Sequence, residues 1–259
     1  MPYAAVNGLR LYYEEQGSGP PLVLLNASTL TISGPGCGGW ANLRPYLAEH
    51  YRVVQIEQRG HGRTDNPGGR AAYTRAALAA DVVALIEQLG LAPAHVAGWS
   101  EGGLVGLELA LAHAPAVRSV VGIGAWYTPD AKFATKVQEL APARLEREQP
   151  ARVAFLTSQH DPHRTPGYWR DLLGWITTSL AEARTVADLQ RITVPTLWIA
   201  GENDSWFELD QLLTMKRHIP GAELLIVNHA DHFVQITHPH LVGPVIADFL
   251  SRNDAPRRP

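Results

Sequence analysis

Between the apolar run Ala94-His95-Val96-Ala97 and the leucine-rich stretch from Leu104 lies Gly98-Trp99-Ser100-Glu101-Gly102, a serine with glycine two residues to either side. The spacing has a chemical reason. A strand that turns sharply into a helix holds its corner residue in a strained conformation, and flanking glycines let neighbouring elements come close. The helix N-terminus behind the corner offers unpaired N–H groups and a positive dipole end to a developing oxyanion. The bare pattern arises often by chance. Here a strand precedes it and a helix follows it, which marks Ser100 as a nucleophile rather than an ordinary turn serine.

A hydroxyl attacks poorly until a base takes its proton, so a histidine and an orienting acid must accompany it. Both are expected after the serine at the ends of later strands, acid first. The run 194–200 leads into Gly201-Glu202-Asn203-Asp204, and the run 222–227 into Asn228-His229-Ala230-Asp231-His232-Phe233. The order Ser100, Asp204, His232 meets the expectation. His229 competes for the role of base, and Asp130 and Glu202 for that of acid. His238 and His240 fall at a helix start and read as surface. His160-Asp161-Pro162-His163 lacks a third partner, so it reads as a solvated loop rather than a metal half-site. Gly34-Pro35-Gly36-Cys37-Gly38-Gly39 matches a dinucleotide fingerprint in spacing. It lies too far past the preceding strand to serve as one, and a glycine-rich loop beside an oxyanion site fits better.

These residues need a sheet to position them. Residues 3–6 and 9–14 flank Asn7-Gly8, a type I′ hairpin signal. Short runs without a polar face recur at 21–25, 52–57, 94–99, 117–124, 194–200 and 222–227, as expected of parallel strands covered on both faces. Between them, 74–89, 101–113 and 237–250 carry helical periodicity, with Thr74 as a cap and Gly90 as a stop. Strand–helix alternation implies right-handed crossovers in a mostly parallel sheet. The rhythm fails over 126–190, where helical stretches at 131–148 and 167–184 are interrupted by prolines. That segment predicts an insertion of helices.

The chain resembles the α/β-hydrolase superfamily over nearly its whole length. The resemblance rests on the serine corner, on Gln58-Arg59-Gly60-His61-Gly62-Arg63-Thr64-Asp65, on Val194-Pro195-Thr196-Leu197 through Asp204, and on His232-Phe233 followed by His238-Pro239. It implies an α/β fold: a mostly parallel central sheet with helices on both faces and an inserted helical cap. The core would comprise 1–125 and 191–251, the cap 126–190, and a disordered tail 252–259. It implies Ser100 as nucleophile, His232 as base and Asp204 as acid, with the N–H groups of Ser28 and Glu101 forming an oxyanion hole. Three departures stand out. Asn26-Ala27 replaces His-Gly, Asp231 replaces Gly before the histidine, and Glu57 replaces Asp at the fourth strand's end. The Glu57 exchange is expected to be without consequence.

The expected activity is hydrolysis of a carboxylic ester or lactone of a small, apolar or ring-containing substrate through an acyl-enzyme, with no metal or other cofactor. Asn26, Trp99, Trp126, Trp169, Trp175 and Trp206 are expected to line the pocket. The alternative keeps the fold and uses His232 as a base in an acyltransferase, lyase, cyclase or cofactor-free dioxygenase. Composition narrows the field further. With 22 basic against 25 acidic residues in 259, the chain lacks the basic excess of a nucleic-acid binder. One cysteine, Cys37, cannot form an internal disulfide. With no basic leader before an apolar core and no long apolar run, a cytoplasmic protein without a membrane partner is expected.

Overall fold

The computed structural model describes residues 3–34, 36–112 and 114–254. Among these residues eight strands form one sheet: β1 (Tyr3–Val6), β2 (Leu9–Gln16), β3 (Pro21–Leu25), β4 (Arg52–Ile56), β5 (Ala94–Trp99), β6 (Val117–Ile123), β7 (Thr196–Gly201) and β8 (Glu223–Val227). Their order is β1-β2-β4-β3-β5-β6-β7-β8. The first two strands are antiparallel, joined at Asn7 and Gly8, both with positive φ as a type I′ turn requires. From β4 across to β8 every pairing is parallel. The chain steps from β3 outward to β4 and then back to β5 on the other side. The order therefore reverses between β3 and β5, where open α/β sheets place ligands.

The helices are α1 (Leu43–Leu47), α2 (Arg75–Gln88), α3 (Glu101–Ala112), α4 (Ala131–Val137), α5 (Pro142–Glu148), α6 (Pro150–His160), α7 (Tyr168–Leu180), α8 (Val186–Leu189), α9 (Asp210–His218), α10 (Val234–Thr237) and α11 (Pro239–Arg252). Alternate strand residues feed two cores. Val23, Leu25, Val54 and Val96 pack with α2 and α3 on one face. Leu22, Leu24, Val53 and Ala97 pack with α1 and α11 on the other. Strands covered on both faces take few polar residues, which is why they read as largely apolar runs; Gln55 on β4 and His95 on β5 are buried there with hydrogen-bond partners. Thr74 caps α2, its hydroxyl accepting the Ala77 N–H at 3.1 Å, a bond of a kind that contributes about 1 kcal/mol.

Helices α4 to α7 lie between β6 and β7, and Leu140, Leu145, Leu156, Trp169 and Leu173 give them an apolar cluster of their own. The periodicity of 131–148 and 167–184 resolves into three of these helices; α6 is additional. Pro150 reads as an interruption in the sequence but starts α6, just as Pro142 starts α5. In a first turn the missing N–H has no intrahelical acceptor to lose.

The tail boundary at 252 also needs correction. Arg252 closes α11, and the Asp254 carboxylate lies 2.9 Å from His95 Nε2 and accepts from the Tyr51 hydroxyl at 3.2 Å. Two buried groups, His95 on β5 and Tyr51 just before β4, thus hold a residue expected to fray; 255–259, like Pro35 of the glycine-rich run, fall outside the described residues. No helix among the described residues is long and apolar enough to cross a membrane.

Candidate active site

Ser100 sits where β5 ends and α3 begins, with φ of 54°. Sheet register sets this corner: Leu25 pairs with Gly98 and Trp99 with Ile123, and the Ser100 N–H still donates to the Ile123 carbonyl at 2.8 Å. One residue on, the Ser100 carbonyl accepts the Leu104 N–H of α3 at 3.0 Å. The flanking glycines are steric necessities. A Cβ on Gly98 would lie 2.1 Å from the Gly102 carbonyl oxygen, and one on Gly102 would lie 2.5 Å from that of Leu25.

Asp204 and His232 follow β7 and β8. The carboxylate is 1% exposed, and its Oδ2 lies 2.8 Å from His232 Nδ1 while Oδ1 accepts the Trp206 N–H at 2.9 Å. A carboxylate in that position keeps the proton on Nδ1 and leaves Nε2 a lone pair. The Trp99 indole anchors the main chain that carries the ring, donating to the His232 carbonyl at 3.0 Å. Gly124 leaves room for the imidazole, since a Cβ there would meet Cε1 at 2.9 Å. Ser100 and His232 open onto one cavity of about 500 Å³, together with Ala27 and Ser28. The structure thus brings Ser100, Ser28 and His232 to one space, with Asp204 behind the imidazole.

The competitors are occupied elsewhere. His229 is solvent-exposed, and its N–H donates to Glu202 Oε2 at 2.9 Å. Asp130 caps α4, accepting from Phe133 N–H at 3.0 Å, and also takes the Glu208 N–H at 2.8 Å. Asp231 faces solvent and accepts the Phe233 N–H.

Of the six side chains expected in the pocket, Trp99 and Trp206 line it and four do not. The Asn26 amide is consumed beneath the floor, donating to the Ile56 carbonyl at 3.0 Å and accepting from Gln55 at 2.7 Å. Trp126 belongs to the main core, stacked on Trp206 at 6.3 Å. Trp169 fills the core of the inserted helices, and Trp175 packs against Tyr73 and Tyr168. The roof comes instead from residues without a sequence signal, among them Leu140, Arg152, Phe155 and Leu173. The glycine-rich run fits tightly beside the floor: a Cβ on Gly38 would strike the Asn26 amide, and one on Gly39 the Trp99 ring.

Behind the cavity lies a buried polar layer. Glu57, expected to be inconsequential, is fully buried and ties two loops together. Its oxygens accept the Ile32 N–H at 3.2 Å, the Arg63 N–H at 2.8 Å and the Arg63 guanidinium at 2.6 Å. His160 is fully buried too, contrary to the solvated loop expected of it. It forms a T-shaped contact with His61 at 5.7 Å. Asp161, next in the chain, accepts the Gly167 N–H at 2.6 Å and so secures the turn into α7.

Glu101 shares this layer. Burial pushes its carboxyl up to about 7, against the pull of the Tyr73 hydroxyl that donates to Oε1 at 2.9 Å. Between the ordinary carboxylate value and about 7 the folded chain holds this proton while the unfolded chain releases it. Stability therefore falls as pH rises through that window, by on the order of 3 kcal/mol. Glu101→Gln keeps an acceptor for Tyr73 and cannot ionise. Thermal unfolding from pH 5 to 8 is expected to show the variant gaining on wild type toward pH 8; parallel curves would show that Glu101 does not titrate there.

The sequence profile of the alpha/beta hydrolase fold family matches residues 20–160. A putative carbamate hydrolase, RutD, from Stutzerimonas stutzeri is 28% identical over 93% of this chain and 97% of its own length. The 2-hydroxymuconate semialdehyde hydrolase of a Pseudomonas species is 26% identical over 96% and 93%. Among solved structures, the enol-lactonase of Burkholderia xenovorans superposes with a TM-score of 0.74 at 26% identity, over 96% of this chain and 100% of that one. The profile match and the shared architecture place this chain in the α/β-hydrolase fold family, among relatives that are hydrolases of small molecules.

Proposed function

We propose that the protein is a serine hydrolase that cleaves a carboxylic ester or lactone of a small substrate through an acyl-enzyme. The observation that carries this reading is the Asp204–His232 contact at 2.8 Å, beside a strained Ser100 that opens on the same cavity. Ser100 Oγ attacks the carbonyl carbon as His232 Nε2 takes its proton. The N–H groups of Ser28 and Glu101, aided by the dipole of α3, stabilise the tetrahedral oxyanion. His232 then protonates the leaving oxygen. Water, deprotonated by the same imidazole, releases the acid and restores the serine. In this reading residues 126–190 act as a cap, roofing the cavity with Leu140, Phe155 and Leu173.

A fluorophosphonate tests the reading, because it reports an activated serine whatever the natural substrate. The expected result is an intact-mass adduct mapped to Ser100 and lost in Ser100→Ala. Failure to form it would favour His232 acting as a base without a serine nucleophile.

The roof also suggests which small esters fit. Lys136 is paired with Glu139 at 2.9 Å, whereas Arg152 has no ion pair among the described residues, and burial lowers its pKa. Glu139 lines the same wall and attracts both cations, so the roof holds two positive charges against one negative and one is in excess beside apolar walls. A carboxylate at the far end of the substrate would satisfy it, and a charge-assisted bidentate contact of this kind is strong. The names of the relatives, which include a muconate semialdehyde hydrolase and an enol-lactonase, agree with small oxygenated substrates. Wild type is expected to favour an ester with a terminal carboxylate over its neutral isostere by roughly tenfold in kcat/KM. Arg152→Gln should abolish the preference and spare the neutral ester. Equal rates for the two esters in wild type would remove Arg152 from substrate selection.

A further inference from the structure

We propose that His160, on the inserted helix α6, is a positioning residue for the oxyanion loop: it holds Thr29 in a left-handed conformation so that the preceding residue, Ser28, keeps its N–H aimed at the substrate carbonyl oxygen. The inference rests on the serine-hydrolase reading above.

Thr29 has φ of 63°. For a β-branched residue this is an unfavourable conformation, and it persists only where surroundings impose it. Two imidazoles do so from opposite sides. The Thr29 N–H donates to His61 Nε2 at 3.2 Å, and the Thr29 carbonyl lies 3.1 Å from His160 Nε2. Each ring is itself fixed through its other nitrogen. His61 Nδ1 lies 3.2 Å from the Arg59 carbonyl, and His160 Nδ1 accepts the Gly62 N–H at 3.1 Å. The bonds assign the protons: Nδ1–H on His61 and Nε2–H on His160, with a lone pair left on the other nitrogen of each to accept an amide N–H.

The arrangement works only with neutral rings, since a protonated ring would turn an acceptor into a donor facing an N–H. Burial lowers the pKa of His61 to about 4 and that of His160 to about 3, so both stay neutral in ordinary buffers. The last turn of α6 grips the loop a second time, through the side chains of Thr31 and Gln159. Thr29 therefore depends on one histidine from the loop after β4 and one from the inserted helices. A molecule in which α6 swung outward would lose half of the grip on the loop that carries Ser28. The roof and the oxyanion donor are thereby mechanically one piece.

The test compares His160→Ala with His160→Gln, whose amide offers a donor and an acceptor in place of the two ring nitrogens. A soluble ester gives kcat and KM; a boronate, which forms a tetrahedral adduct on serine, reports the oxyanion site directly. His160→Ala is expected to lose about 10- to 100-fold in kcat, the scale of a donor displaced by about an ångström. KM should stay within about threefold, boronate affinity should weaken in parallel with kcat, and His160→Gln should recover most of both. Where alanine fails to fold, His160→Met fills the space without either hydrogen bond and carries the same expectation. A folded His160→Ala or His160→Met with wild-type kcat and boronate affinity overturns the proposal, as does activity lost only in proportion to unfolded protein. Ser100→Ala separates the two levels of inference. If it still turns over, the serine reading fails; if it is inert while His160→Ala is unimpaired, only the positioning role fails.

Discussion

Ser100→Ala is expected to lower kcat on a reactive ester by about 10⁴- to 10⁶-fold while leaving the fold intact. The hydroxyl is the only atom removed, and both Ser100 and alanine carry the same strain at φ of 54°. The variant should therefore melt where wild type does. Ser100→Gly separates chemistry from strain. Glycine takes positive φ without penalty, so this equally inactive variant should be more stable than Ser100→Ala by about 1 kcal/mol. Activity assays beside thermal melts give both numbers. A Ser100→Ala enzyme within tenfold of wild type would remove the hydroxyl from the mechanism. Equal melting of the two variants would mean that the corner is not strained. The two outcomes are independent, because one reads a side-chain atom and the other a backbone angle.

The parts of this molecule that were legible in the sequence are those fixed by local pattern. Runs such as Pro21–Leu25 and Thr196–Gly201 have no polar face because both faces of the sheet are covered, so each strand announces itself without its neighbours. Gly98 and Gly102 are legible through their spacing about Ser100, although only one of the clashes they avoid is local: a Cβ on Gly98 would strike Gly102, whereas one on Gly102 would strike Leu25 and Asn26 at the end of β3. Asp204 and His232 follow from position at strand ends. The pocket wall obeys no such rule. Trp126, Trp169 and Trp175 are large and apolar, and whether such a ring fills a core or lines a cavity depends on how four inserted helices pack. The sequence pattern of those helices carries the answer for neither the rings nor Arg152. Prolines obscured α6 because the same residue both breaks a helix and starts one.

His61 and His160 were hidden for a different reason. In the sequence His160-Asp161-Pro162-His163 reads as a solvated loop, and Gly60-His61-Gly62 is part of a family-like motif that assigns the histidine no role of its own. Their burial is explained by one strained peptide, that of Thr29, whose N–H and carbonyl both need partners away from water. Glu57 follows the same logic. Its carboxylate serves the Ile32 N–H and Arg63, so its role is visible only when two loops distant in sequence are side by side. A signal for such residues exists in principle: three buried titratable groups clustered behind one loop. It is a three-dimensional signal, however, and no spacing rule reports it.

Asp204→Asn is expected to lower kcat by about 10⁴-fold with little change in structure. The amide retains an oxygen for the Trp206 N–H, now met at 2.9 Å, and occupies the same volume. Its nitrogen, however, would donate toward His232 Nδ1, which at present lies 2.8 Å from a carboxylate oxygen. To accept that bond the imidazole must move its proton to Nε2, the atom that has to receive the serine proton. The base would be present, correctly placed and in the wrong tautomer. Asp130→Asn is the natural control. An asparagine still caps α4 through its oxygen, but its NH2 would face the Glu208 N–H that the second carboxylate oxygen now accepts, so the change should cost about 1 kcal/mol of stability and leave kcat unaltered. Steady-state kinetics and melting curves on both variants distinguish the two acids. Should Asp130→Asn lose activity and Asp204→Asn keep it, the acid would have to act from the strand that precedes the inserted helices. The buried contact at His232 would then be structural, an outcome hard to reconcile with a carboxylate 1% exposed whose second oxygen is already used to fix its own loop.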